Sequence, residues 1–139
     1  MKLLALMALM MVSLASAAAE LTGDYVQAIT HTIRVPEGGT LEEGLALSNE
    51  WRAKVLDKNP HMASITYLGR AVSETEYKLL VLYEYNTVED ARQAGQMIGQ
   101  IMQTAWQDAG GSEAFLAKLN SYINPSENVR HMYQTVPRD

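Results

Sequence analysis

No cysteine occurs anywhere in the chain. Disulfides, thiolate nucleophiles and cysteine-ligated metal sites are thereby excluded, and stability has to come from packing alone. Positive charge is also scarce, with 11 Lys and Arg against 16 Asp and Glu. That balance argues against nucleic acid or an anionic membrane surface as partner. Histidine is limited to three residues. No two of them stand at helical ligand spacing and no carboxylate is placed to join one, so no metal site is expected. The glycine pairs Gly38-Gly39 and Gly110-Gly111 lack the strand-and-helix context of a phosphate loop and read as a turn and a helix break.

The apolar content is concentrated in two places. Met1 to Leu14 is apolar apart from Lys2 and Ser13, and small residues follow from Ala15 to Ala19. That order is the pattern of a signal peptide over residues 1–19, and the run is too short for a comfortable membrane span. The chain is therefore expected to be exported, periplasmic or secreted, with no membrane attachment after cleavage near Ala18 or Glu20. Residues 20–139 are then expected to form a single domain. Lys2 is the only charged residue of the leader, and half of the eight methionines leave with it, so the remainder is more acidic and not Met-rich.

The second apolar stretch is Leu79 to Tyr83, five consecutive apolar residues inside a strand-like run from Tyr77 to Tyr85. An antiparallel strand with water on one side would alternate, so both faces of this one need cover. Around it the chain reads in order. Tyr25 to Val35 is a strand ended by Pro36-Glu37-Gly38-Gly39. Thr40 with Glu43 forms a capping box for a helix with its stripe on Leu41, Leu45, Ser48, Trp51 and Val55, stopped at Asn59-Pro60. Met62 to Arg70 is a second strand, linked by a polar hairpin to the third. Thr87 caps a second helix with a stripe on Val88, Ala91, Ala94, Ile98, Ile101, Met102 and Ala105. A short amphipathic helix follows from Ser112, and Val129 to Val136 reads as a last strand.

This order predicts an α+β fold, the ferredoxin-like split βαβ arrangement. Right-handed crossovers place two main helices and the short extra helix on one face of a four-stranded antiparallel sheet. The first and third strands are expected in the centre, with the last strand beside the first. The uncovered sheet face predicts a homodimer.

The chain resembles the dimeric α/β-barrel superfamily, and within it the antibiotic-biosynthesis-monooxygenase-like domains. The likeness is carried by Val35-Pro36-Glu37-Gly38-Gly39-Thr40-Leu41-Glu42-Glu43, by Asn59-Pro60 and by Leu79 to Ala91, and lies in pattern and topology across Tyr25 to Val136. It implies two sheets paired face to face across a dimer axis, with a pocket between sheet and helices in each subunit. It also implies a range of activities, cofactor-free oxygenation among them, rather than one reaction. The haem-degrading members use a histidine on the second helix and a strand tryptophan. Val88 to Gln107 has no histidine, and Tyr83 and Tyr85 stand at the comparable strand end.

The candidate catalytic residues are His31, Tyr83 and His131, expected to converge if the first strand lies between the third and the last. A neutral imidazole suits removal of a proton from a phenol or an activated C–H, and tyrosine hydroxyls suit an oxyanion. Trp51, Tyr67, Tyr85 and Tyr133 are the candidate ligand-binding residues, and His61 reads as a solvated loop residue. Each His and Tyr also has a plain packing role open to it. Two classes follow: an exported enzyme acting without a cofactor on a small apolar or aromatic molecule, or a non-catalytic binding or assembly module.

Overall fold

A computed structural model describes residues 21–136. The expected signal peptide therefore lies outside the described residues. The first strand, β1 (Tyr25–Arg34), is followed by helix α1 (Leu41–Trp51) and a single π-helical turn, Arg52–Leu56. Strands β2 (Ser64–Ala71) and β3 (Glu76–Tyr85) form the hairpin, and α2 (Val88–Ala105), α3 (Glu113–Tyr122) and β4 (Val129–Gln134) complete the order. The four strands form one sheet in the order β2-β3-β1-β4, with every pairing antiparallel. The fold is the ferredoxin-like α+β arrangement, with β1 and β3 in the centre.

Local chemistry accounts for the helix starts. Thr40 and Thr87 both have extended backbones, and their side-chain oxygens accept from the N–H groups of Glu43 and Asp90. Each satisfies one of the amides that a helix start leaves unpaired. The reciprocal half of the first capping box is absent. The Glu43 carboxylate bonds the Tyr122 hydroxyl and Lys118 on α3, and the Thr40 amide donates to Tyr122 instead, 3.3 Å away. Tyr122 offers both groups a buried partner, and so ties α3 to the start of α1. The Tyr122 ring can lie here only because a Cβ at Gly44 would come within 2.7 Å of it.

A single π turn closes the end of α1, and it buries both Val55 and Leu56. Alternation divides the sheet. Ile29, Ile33, Leu79, Val81 and Tyr83 face the helices and join Trp106, Phe115 and Tyr122 in one hydrophobic core. The other face carries Val26, Ala28, Thr30, Leu80 and Leu82 and, among the described residues, no helix. It bears a groove of about 540 Å³, into which His131 and Tyr133 also project.

Candidate functional site

Strand register lays out the helix-side face as a grid, because directly paired residues share a face. One cross-strand row runs Arg130, Ile29, Val81, Tyr67, and the row on one side runs Met132, Gln27, Tyr83, Ile65. On the other side His31 pairs with Leu79, which in turn pairs with Gly69. Between this grid and the helices lies a cavity of about 380 Å³. That is within the size range of small-molecule pockets, about 300–1,000 Å³. Its floor is the sheet, with His31, Tyr67, Tyr83, Tyr85, Gln27 and Arg130; Trp51, Ile98 and Leu116 wall it, and Asn120 and Asn128 add polar groups.

His31 is the best-defined chemical group in it. Its Nδ1 lies 3.0 Å from Asn128 Oδ1. A carboxamide oxygen only accepts, so Nδ1 carries the hydrogen and Nε2 keeps the lone pair. Burial pushes the His31 pKa below 6.5, the Asn128 bond works against that, and the positive charge of Arg130 adds to the lowering. The ring is therefore neutral at neutral pH, with the Nε2 lone pair available to accept a proton.

The tyrosines are kept protonated. Burial pushes Tyr67 up to about 12, and pushes Tyr83 and Tyr85 up as well, with Arg130 opposing the shift at both of the latter. Tyr67 donates to the Ser48 carbonyl at 3.3 Å, and the Arg52 guanidinium lies over its ring at 5.1 Å. Among the described residues the hydroxyls of Tyr83 and Tyr85 donate to no protein group, and no fully enclosed polar side-chain atom lacks a partner. Both hydroxyls are thus open to the cavity as donors. Trp51 is held by stacking against Trp106 and Phe115, with centroids 6.3 and 6.5 Å away, while Trp106 Nε1 donates to Glu50 at 2.8 Å.

The structure gathers His31, Trp51, Tyr67, Tyr83 and Tyr85 around one space, but it separates His131 and Tyr133 from them. His131 pairs with Ala28 and Tyr133 with Val26, residues of the uncovered face, so the expected convergence with His31 does not occur. The two rings lie 6.0 Å apart beside the groove on that side. Their places on the cavity side are taken by Asn128 and Arg130, which the sequence reading passed over. Asn128 and Arg130, polar and two residues apart in phase with Gln134, were the available signal, which Met132 interrupts. His61 is half-buried rather than solvated, with Nδ1 3.3 Å from Asp90. Among the described residues no cluster of three or more metal-binding side chains forms.

No family model matches the chain, and no curated protein does. Solved structures do match. SnoaB, a cofactor-independent oxygenase from Streptomyces nogalater, aligns in a variant form at TM-score 0.50 and 13% identity, over 84% of this chain and 100% of that one. The fold is that of SnoaB. A second crystal structure of SnoaB gives the same TM-score at 11% identity, over 84% of this chain and 97% of that one. A candidate antibiotic biosynthesis monooxygenase from Caulobacter crescentus aligns at TM-score 0.48 and 16% identity, over 83% of this chain and 92% of that one. The likeness to SnoaB is one of fold, and a shared fold does not carry a reaction with it.

Proposed function

We propose that the cavity binds a small, mostly apolar aromatic compound and that His31 removes a proton from it, as in a cofactor-independent monooxygenase-like reaction. One observation carries this reading: a neutral imidazole, fixed through Nδ1 by Asn128, lines an aromatic-walled cavity. His31 Nε2 takes the proton from a phenol or an activated C–H, and the electron pair stays on the ligand as an anion. Tyr83, held protonated, donates to the developing oxyanion. The resulting electron-rich anion is the species that reacts with dioxygen as co-substrate. The fold shared with SnoaB, itself a cofactor-independent oxygenase, supports the reading without deciding it.

The setting is proposed as well. The charged-apolar-small N-terminus supports export. The uncovered face, where Leu68, Val129 and Tyr133 are each about half exposed, supports a homodimer formed through it. A thermal-shift screen of aromatic compounds, followed by oxygen-consumption assays on each hit, tests the reaction. His31→Ala should keep ligand binding and lose turnover by about 10²–10⁴-fold. A variant with a lower Tm but unchanged turnover per folded molecule overturns the role, and a ligand bound with no turnover in the wild type leaves a binding module.

A further inference from the structure

Among the described residues Arg130 is the one cation lining the cavity, and it enters no ion pair there. Most other cations of the described chain are matched. Arg34, Arg52, Lys54, Lys78, Arg92 and Lys118 each face a carboxylate. An unmatched guanidinium on an acidic protein, at the rim of an apolar space, is arranged for an anion arriving from solution.

We infer that the cavity selects aromatic carboxylates, with Arg130 as the residue that receives the carboxylate at the mouth. The inference rests on the cavity reading above and adds the chemical class of its ligand. Arg130 lies on the edge strand β4 and is exposed, directly beside Ile29 and one row from His31. A carboxylate placed there keeps part of its hydration, so it avoids the cost of a fully buried charge. The rings then point inward, against Trp51 and Tyr67, while Gln27 and Asn128 flank the polar end. A planar guanidinium accommodates both carboxylate oxygens at once, which a point-charge cation does not. Elsewhere the acidic surface repels such ligands, so Arg130 also sets where they enter.

The test is isothermal titration of the folded protein with naphthoate and with naphthylmethanol, its neutral counterpart, at low ionic strength. The wild type should bind naphthoate about tenfold or more tightly than the alcohol. Arg130→Gln should erase that preference while keeping the Tm and the affinity for the alcohol, and Arg130→Lys should restore it in part. Equal affinity for the two probes in the wild type, or a preference that survives in Arg130→Gln, overturns the inference and leaves the cavity reading intact. Binding of neither probe overturns both.

Discussion

Glu84 is fully buried, at 1% exposure, on the sheet face without helices, and its carboxylate holds the entering chain in place. It accepts from the Thr22 and Gly23 amides at 2.6 and 3.0 Å, from the Thr22 hydroxyl at 3.3 Å and from the Ser64 hydroxyl at 2.5 Å. Burial alone would raise its pKa, but these hydrogen bonds together outweigh it and the net shift is downward. Glu84→Gln keeps the volume and lets Ser64 turn its hydroxyl to accept, so the main loss is the charge assistance of the bonds. At roughly 1 kcal/mol for each of the shorter bonds, the variant should be about 2–3 kcal/mol less stable at pH 7. With a urea m-value of about 2 kcal/mol/M, that moves the unfolding midpoint down by about 1 M. The sign with pH follows from the lowered folded-state pKa. The stabilisation is fully present above the unfolded value of 4.5 and is lost as pH falls through the folded one. Other carboxylates, among them Glu43 and Glu127, are lowered too, but they act equally in both proteins and cancel in the difference. Urea melts of wild type and variant at neutral and acid pH should therefore converge as the solution is acidified. A Gln variant as stable as wild type at pH 7, or a gap that stays constant down the pH series, refutes the reasoning.

A Cβ at Gly95, on the cavity-lining side of α2, meets nothing within 4 Å. Gly95→Ala should therefore raise stability by about 0.5–1 kcal/mol, read as a higher Tm, and Gly95→Leu should weaken ligand binding without lowering Tm. A lower Tm for the alanine variant contradicts this. On the uncovered face, Leu82→Glu should turn a dimer into a monomer in light scattering, and a wild type that is already monomeric at micromolar concentration contradicts the dimer. Mass spectrometry of the extracytoplasmic fraction should find a mature start between Ala18 and Glu20; intact Met1 in the soluble cytosol contradicts export.

The fold was legible where sequence pattern and burial have one meaning. Thr40 and Thr87 mark helix starts, Leu79 to Tyr83 marks a central strand apolar on both faces, and the element order leaves one topology. The site was legible only in part, and β4 shows why. Val129, His131 and Tyr133 alternate with Arg130 and Met132, and an apolar alternation normally points its apolar set at the core. Here both faces of the sheet are apolar, so parity alone does not tell which set faces the helices. The rule pointed the wrong way, because the uncovered face is itself adapted to burial. Asn128 was hidden for another reason: it lies just before the strand, and its bond to His31 spans 97 residues. The π turn after Trp51 was also unreadable, since no residue in Arg52 to Leu56 distinguishes it from an ordinary helical turn.

The central claim is that His31 is a neutral base, held by Asn128 and facing a ligand cavity. Nitrogen and proton NMR of the imidazole, titrated with pH with and without a bound aromatic compound, tests it directly. The account predicts a hydrogen on Nδ1, a lone pair on Nε2, a midpoint below 6.5 and resonances that move when the ligand binds. A midpoint above 6.5, a hydrogen on Nε2, or resonances indifferent to a bound ligand would contradict it.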